Sequence, residues 1–225
     1  MPPDTSPFAV LCLEAIAAAG LGSSISIGGA FGLSQYLSYR STQDVDARWT
    51  EAATSDVRAR LIETVDAALG TAGSVRTRAW GDVTSIELVR EGRTVFSFQV
   101  AARSALLRPP RAGPWSGGIL LDSLDDLVAS KMVALVERGT PRDFRDIHAL
   151  CQAGLVDPAD CWRLWKARQE ASGESVDPRR ARLAIRSHLA RIEAIRPLAD
   201  IASEDQRASA EQVRSWFKRE LLGED

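Results

Sequence analysis

The sequence is most informative at IGGAFGL, residues 27–33, and at RSTQDVD, residues 40–46. In the first stretch, a glycine pair follows a short apolar run, and the apolar residues after this pair predict a helix. In the second stretch Asp44 and Asp46 alternate along an extended segment, so their side chains point to the same face of a strand. The order predicts a strand, a glycine turn, a helix and a second strand that presents two carboxylates beside the turn.

Two carboxylates on one face repel each other unless a cation lies between them, and Mg²⁺ prefers oxygen ligands of this kind. Mg²⁺ also takes oxygens from nucleotide phosphates, and the N–H groups at a helix N-terminus bind phosphate. We therefore interpret Gly28, Gly29, Asp44 and Asp46 as the metal and triphosphate site of a nucleotidyltransferase. The glycine pair and the two aspartates are each weak evidence for such a site when taken alone. The alternative interpretation is the start of a βαβ unit whose second strand is acidic by chance.

The composition is that of an ordinary soluble protein. At 225 residues the chain is long enough for one large domain, or for a catalytic core with a smaller helical domain. Residues 8–20 are apolar, but Glu14 interrupts them and no basic residue leads them, which is typical of an amphipathic helix rather than a secretion signal. Cys12, Cys151 and Cys161 lack metal-like spacing and are expected to be buried thiols. We expect a cytoplasmic protein that does not contact a membrane.

The predicted elements change character along the chain. Helices and strands alternate in the first half, whereas the second half contains helical patterns only. This indicates an α/β (α+β) fold, in which residues 1–121 form a core domain with a small mixed sheet and residues 122–225 form a helical C-terminal domain. Residues 108–118, rich in proline, arginine and glycine, are predicted to be a loop.

A predicted helix over residues 123–138 carries a lysine inside its apolar stripe. Lys131 lies four residues from both Leu127 and Leu135, which belong to that stripe. An unpaired ammonium there has a large desolvation cost, so it must reach a carboxylate, a ligand phosphate or solvent. Two interpretations stay open: a lysine that extends its ammonium into water, or a lysine that neutralises a triphosphate.

The next predicted helix carries two aspartates with different expected roles. Thr140 and Asp143 have the N-cap and N3 spacing of a capping box, with Pro141 at the first helical position, so Asp143 is assigned to the scaffold. Asp146 falls at the border of the apolar stripe, where a carboxylate can point into a cleft, and is assigned to the site. His148 is a candidate base, although histidines in cores or on surfaces are more common.

Basic residues concentrate in residues 162–196, where nine lysines and arginines oppose four acids. Arg179, Arg182 and Arg186 share one face of a predicted helix and are candidates for contacts with nucleic-acid phosphates. The alternative is a solvated, arginine-rich helix. His188 lies in the same region and is expected to face solvent or a polyanion.

These constellations together resemble the AbiEii/AbiGii toxin family, a branch of the DNA polymerase β-like nucleotidyltransferases that includes the mycobacterial MenT toxins. The resemblance covers roughly residues 22 to 155 and rests on three motifs: Gly28-Gly29 with Arg40-x-Thr42-x-Asp44-Val45-Asp46, Lys131-x-x-Ala134-Leu135-x-x-Arg138, and Arg142-Asp143-x-x-Asp146-Ile147-x-x-Leu150. It implies a polymerase-β-like core and a toxin of a toxin–antitoxin system. It further implies Mg²⁺-dependent transfer of a nucleotide from an NTP to RNA.

The resemblance also implies roles for individual residues and partners. Catalytic roles fall to Thr42, Asp44, Asp46, Lys131 and Asp146, of which Asp44 and Asp46 hold the metal. NTP binding falls to Gly28, Gly29, Thr42 and Lys131, so that the helical C-terminal domain contributes Lys131 and Asp146 to the site. For the MenT branch the acceptor is the 3′ end of tRNA, whose modification blocks translation. A cognate antitoxin is a further implied partner.

One position departs from the pattern of the superfamily. Polymerase-β-like enzymes often carry a third carboxylate on a later central strand, and the corresponding position here is the neutral Gln99. This puts the identity of the base in doubt. Two other functions therefore stay open: a nucleotidyltransferase that modifies protein hydroxyls (AMPylation), and a non-catalytic module that binds nucleotide or antitoxin.

Overall fold

The structure is a computed structural model that describes residues 5–42 and 44–223, so Gln43 of the second stretch lies outside the described residues. The chain divides into two compact units between Leu127 and Val128. The first unit mixes strands with helices and the second is helical. The predicted α/β class is therefore confirmed.

Within its described residues, the first unit combines one mixed sheet with three α-helices, a short 3-10 helix (Gly22–Ser24) and the first turn of a fourth α-helix. The helices are α1 (Pro7–Ala18), α2 (Gly29–Leu33) and α3 (Ser55–Gly70). The strands are β1 (Ile25–Ile27), β2 (Asp44–Trp49), β3 (Ser74–Trp80), β4 (Val83–Arg90), β5 (Arg93–Ala101), β6 (Arg111–Ala112) and β7 (Leu120–Leu121).

The sheet has the strand order β3-β4-β5-β2-β1-β7-β6. β2 is parallel to β5 and antiparallel to β1, and β1 is parallel to β7. Parallel strands end at the same edge of a sheet, so the residues that follow β1 and β7, Gly28 and Asp122, become neighbours. Residues 108–118, which the sequence predicts as a loop, contain β6, and β6 pairs with β7. A two-residue strand is too short to show a periodic pattern.

The two faces of the sheet differ in chemistry because the side chains of β2 alternate. Val45, Ala47 and Trp49 are buried in one core with side chains of α1 and α3. The other face of β2 carries half-buried polar residues, which are Asp44, Asp46 and Arg48. Neighbouring strands continue that polar face, since Ser97 and Gln99 of β5 lie in register with Asp44 and Asp46.

The second unit is helical in its described residues. Its helices are the C-terminal part of α4 (Leu124–Glu137), α5 (Pro141–Gln152), α6 (Pro158–Ala171), α7 (Pro178–Ile195) and α8 (Glu204–Trp216). Of these, α5, α6 and α7 each begin at a proline. Proline is favoured at the first helical position, because the N–H group that it lacks would have no partner within the helix. Among the described residues, none of the helices is both long and apolar enough to span a bilayer.

Candidate active site

The glycine turn after β1 lies against Asp46. The N–H of Gly28 donates to the main-chain oxygen of Asp46 over 2.7 Å. Gly29 has φ +56°, and a Cβ at this position would lie 1.9 Å from Asp46 Oδ2. Only glycine permits both this backbone conformation and this close approach. The structure thus brings the turn and the carboxylate together as the sequence predicts.

Asp44 lies on the same face of β2 and is held by neutral groups. The Ser97 hydroxyl donates to Asp44 Oδ1 over 2.8 Å. Thr42 Oγ1 lies 3.4 Å from the main-chain nitrogen of Asp44, at the long end of hydrogen bonding. Within residues 5–42 and 44–223, Asp44 forms no ion pair. A half-buried carboxylate that lacks a protein cation favours binding of an external one.

The donor set at this turn fits a magnesium–nucleotide complex better than a metal held by protein alone. In the described part of the chain, no group of three or more His, Cys, Asp or Glu side chains could hold a metal ion. Asp44 and Asp46 supply two carboxylates, and Mg²⁺ is commonly bound by one or two carboxylates with phosphate oxygens and waters. α2 spans only five residues, so phosphate binding would rest on individual N–H groups more than on its helix dipole.

Gln99 occupies the position predicted from the sequence. It lies on β5 in register with Asp46 and, on its other side, with Ser85 of β4. Ser85 is 1% exposed, and its hydroxyl has no hydrogen-bond partner among the described residues. The positions of β5 and β4 that continue this face from Asp46 therefore carry neutral side chains, and the third carboxylate that polymerase-β-like enzymes often carry is not supplied from β5.

A second carboxylate beside the turn, Asp122, is absent from the sequence predictions. It follows β7, is 5% exposed, and its N–H donates to the Ile27 oxygen over 2.9 Å. A Cβ on Gly28 would lie 2.9 Å from Asp122 Oδ2. Arg103 Nη2 donates both to Asp122 Oδ1 (2.5 Å) and to the Ser26 hydroxyl (2.6 Å). The only sequence signal was a strand that ends at an acidic residue, because its parallel pairing with β1 is a long-range feature.

In the second unit, Lys131 and Asp146 form a buried ion pair. Lys131 Nζ lies 2.7 Å from Asp146 Oδ2, and the two residues are 9% and 0% exposed. Of the three destinations that the sequence leaves open for the ammonium of Lys131, the structure shows the carboxylate. Asp146 lies fully buried rather than at the edge of a cleft. The catalytic roles assigned to both residues stay predictions.

Asp143 holds the start of α5, which confirms its predicted structural role. Its Oδ2 accepts hydrogen bonds from the N–H (3.0 Å) and hydroxyl (2.7 Å) of Thr140, and Arg138 binds both carboxylate oxygens. Burial alone would raise the pKa of Asp143, but the hydrogen bonds from Arg138 and Thr140 outweigh it and hold that pKa below its usual value. The charged carboxylate is therefore the stable form.

Neither histidine occupies an anion-binding position. The ring of His148 is half-buried and packs edge-on against Trp216, with centroids 5.4 Å apart. Burial lowers the pKa of His148, so its neutral form is favoured. The expectation that His188 faces solvent or a polyanion is wrong: its ring nitrogen lies 3.1 Å from the oxygen of Val136. Gly139 permits this approach, since a Cβ there would lie 2.4 Å from the His188 ring.

The arginines of α7 differ from one another. Arg179 and Arg186 are exposed, whereas the guanidinium of Arg182 lies over the ring of Trp162, 4.6 Å from its centroid. A stacked guanidinium can still present N–H groups to a phosphate. Their assignment to nucleic-acid binding stays a prediction.

The cysteines are mostly buried, as the sequence predicts. Cys12 and Cys161 are fully buried and Cys151 is half-buried. Burial raises the pKa of the Cys12 thiol to about 12. The sulfur atoms of Cys151 and Cys161 lie 3.8 Å apart as free thiols. The Cys12 thiol is therefore protonated at neutral pH and is a poor nucleophile.

Comparison with known proteins agrees with this geometry. A family model described as Nucleotidyl transferase AbiEii toxin, Type IV TA system, matches residues 11–218. Similar solved structures include JHP933 from Helicobacter pylori, at 13% identity and TM-score 0.52, with 94% of this chain and 91% of that chain covered. A second H. pylori structure, described as a nucleotidyltransferase, has 14% identity and TM-score 0.51, with 94% of each chain covered. At such identities the likeness shows the fold alone, the polymerase-β-like nucleotidyltransferase fold. No curated protein matches the chain in sequence.

Proposed function

Because the chain belongs to the AbiEii family of nucleotidyltransferase toxins from type IV toxin–antitoxin systems, we propose that it transfers a nucleotide from an NTP to the 3′ end of tRNA. The reaction would block translation, since a tRNA with a modified 3′ end cannot accept an amino acid. The observation that carries the proposal is Asp46 packed against the Gly28-Gly29 turn, with Asp44 beside it on the same strand face.

In the proposed reaction, a terminal hydroxyl of the RNA attacks the α-phosphate of the NTP. A new bond forms between the hydroxyl oxygen and the α-phosphorus, the bond from the α-phosphorus to the oxygen of the β-phosphate breaks, and pyrophosphate leaves. The proton of the hydroxyl passes to water. Asp44 and Asp46 would hold Mg²⁺, which would supply positive charge to the phosphate oxygens. The chain itself positions the triphosphate at the turn through the Gly29 N–H and through the Thr42 hydroxyl, while the Gly28 N–H holds the turn against the main chain of Asp46.

The second unit carries the remaining predicted contributions. Lys131 is proposed to offset the charge of the triphosphate, and Asp146 to orient Lys131 through their ion pair. Arg179, Arg182 and Arg186 are proposed to bind phosphates of the tRNA acceptor stem. Binding that depends on such contacts falls steeply as salt rises. The family also implies an antitoxin as a partner of this chain in the cell.

A labelling experiment tests the proposal directly. The purified chain is incubated with Mg²⁺ and each α-³²P-labelled NTP in turn, with total tRNA or with RNA-depleted cell protein. The expected result is label on tRNA with at least one NTP, lost when EDTA removes the metal and lost in an Asp44→Asn variant. Label on protein instead would show that the acceptor is a protein hydroxyl. Label on neither, under all four NTPs, would contradict nucleotide transfer to RNA.

A further inference from the structure

The first unit contains an arginine, Arg103, that is held close to the glycine turn and has no role in the proposed function. Arg103 follows β5, and its side chain is 13% exposed. One amino group, Nη2, donates to Asp122 Oδ1 and to the Ser26 hydroxyl. Asp122 and Ser26 are themselves 5% and 0% exposed, so both partners are rigidly placed.

Asp122 connects Arg103 to the turn. Asp122 Oδ2 lies close enough to Gly28 that a Cβ on that glycine would approach it to 2.9 Å. The main chain of Asp122 is tied to the end of β1 by its hydrogen bond to Ile27. The guanidinium is thus positioned by the ends of β1 and β7, and the turn at Gly28 and Gly29 directly follows β1.

The hydrogen bonds of Arg103 leave part of its donor capacity unused. A guanidinium has five N–H donors, and the bonds to Ser26 and Asp122 use the two on Nη2. Nε and Nη1 have no partner among the described residues, and neither is among the buried unpaired atoms there. These three N–H groups are therefore accessible to a ligand.

From this arrangement we propose that Arg103 binds the triphosphate of the NTP, and that Asp122 and Ser26 position it. The inference rests on the proposed function and adds a residue to it. Two acidic ligands, Asp44 and Asp46, and a triphosphate gather negative charge at one turn, and a planar guanidinium is suited to bind phosphate oxygens in pairs. Asp122 balances the charge of Arg103 in the absence of nucleotide, which makes a nearly buried guanidinium stable there.

The test uses the double variant Arg103→Met/Asp122→Asn, because Arg103→Met alone would leave a buried carboxylate without its cation. Affinity is measured in Mg²⁺ by anisotropy of a fluorescent NTP and by competition with unlabelled NTP and with pyrophosphate. We expect both affinities to fall roughly 10- to 100-fold, the loss typical of hydrogen bonds to a charged group. The affinity for tRNA and the melting temperature should stay within the error of the wild-type values.

Two further variants separate a phosphate contact from a structural role. Arg103→Lys keeps the charge without the paired donors, so NTP affinity should lie between those of the wild type and the double variant. Arg108→Ala removes an exposed arginine nearby that pairs with Asp125 on the surface, and should leave NTP affinity unchanged. If Arg103 had only a structural role, its variants would have lower melting temperatures, but their NTP affinities would not decrease in this graded order.

The outcomes distinguish this inference from the proposed function. Unchanged NTP and pyrophosphate affinity in the double variant would overturn the role of Arg103 even if the wild type labels tRNA normally. A loss of tRNA affinity with unchanged NTP affinity would show that the phosphate belongs to RNA, which also overturns it. If the wild type labels no RNA yet Arg103 variants bind NTP weakly, the transfer proposal fails and the phosphate contact stands.

Discussion

Asp44 in the first unit and Asp146 in the second are both shielded carboxylates, but their surroundings are opposite. Asp146 is fully buried and pairs with Lys131 over 2.7 Å. Asp44 is half-buried, accepts a hydrogen bond from the Ser97 hydroxyl, and has no ion-pair partner among the described residues. The carboxylate on α5 is thus neutralised within the chain, whereas the carboxylate on β2 has no cation among the described residues, which suits its proposed role in holding Mg²⁺.

Secondary structure explains part of this difference. A strand in a sheet with one polar face places every second side chain on that face, so Asp44 and Asp46 stay adjacent to each other. When the apolar stripe of a helix is buried, charged side chains next to that stripe are buried with it, and each of them must then be paired. Asp143 follows the same rule as Asp146, since Arg138 and Thr140 satisfy its carboxylate.

The largest expected effect is the loss of transfer activity in Asp44→Asn. The amide keeps the shape and the contact with Ser97 but binds Mg²⁺ poorly, so the rate should fall about 10³-fold, equivalent to a few kcal/mol. The rate is measured by tRNA labelling, and folding by thermal melting. Asp82→Asn, at an exposed turn position, is the matched control and should retain full activity. Equal activity in both variants would remove Asp44 from the site.

Breaking the ion pair of the second unit should produce the largest stability effect. Lys131→Met leaves Asp146 buried without its ammonium, so the free energy of unfolding should fall by about 3–5 kcal/mol. Urea denaturation measures the change. Lys131→Met/Asp146→Leu should recover most of the stability, because it removes both charges, while remaining inactive if Lys131 acts on the triphosphate.

Lys166→Met is the matched control for the ion pair. Lys166 and Glu170 are each 58% exposed, and their pair spans 3.6 Å on the surface of α6. Its loss should change the free energy of unfolding by no more than about 0.5 kcal/mol. A loss for Lys131→Met that is no larger than for Lys166→Met would contradict the difference between the buried and the exposed ion pair.

Gly29→Ala tests the close approach of the turn to Asp46. The added Cβ would meet Asp46 Oδ2 at 1.9 Å, so the carboxylate must move and activity should fall about 10²-fold. Gly20→Ala provides the control, since Gly20 has a similar φ of +68° but no atom within 4 Å of a Cβ. It should lower stability by about 1 kcal/mol through backbone strain and leave activity intact.

Apart from the control variants, Asp143→Asn should have the smallest effect, and this effect should depend on pH. Because the folded-state pKa of Asp143 is lowered, its charged form contributes stability above the ordinary aspartate pKa of about 3.9, and that contribution is lost as pH falls through the folded pKa. The variant should be less stable by about 1–2 kcal/mol at pH 7. The gap should shrink below pH ~4 in urea titrations. A gap that is constant with pH would contradict a charged cap.

Local patterns allowed a correct prediction wherever the contact involves residues close in sequence. The capping box of Thr140 and Asp143 spans three residues, and the shared face of Asp44 and Asp46 follows from strand geometry. The approach of the turn to Asp46 was also predictable. Two strands that are joined by a short helix usually pair with each other, and this pairing places the turn after the first strand beside the second strand. The prediction for His188 failed because its partner, the Val136 oxygen, lies 52 residues away.

The order of residues 27–46 was sufficient to predict the turn and the two carboxylates, since the periodicities of strand and helix are fixed by backbone geometry. The family was predicted from the resemblance of this stretch and of residues 131–150 to the AbiEii/AbiGii toxins. Tertiary structure was needed to show that Ser26, Arg103 and Asp122 meet. Their meeting depends on the parallel pairing of β1 with a two-residue strand nearly a hundred residues later, and no local pattern encodes that register. Tertiary packing likewise determined that Lys131 pairs with Asp146, because the partner of a buried ammonium depends on which carboxylate the neighbouring helix places next to it.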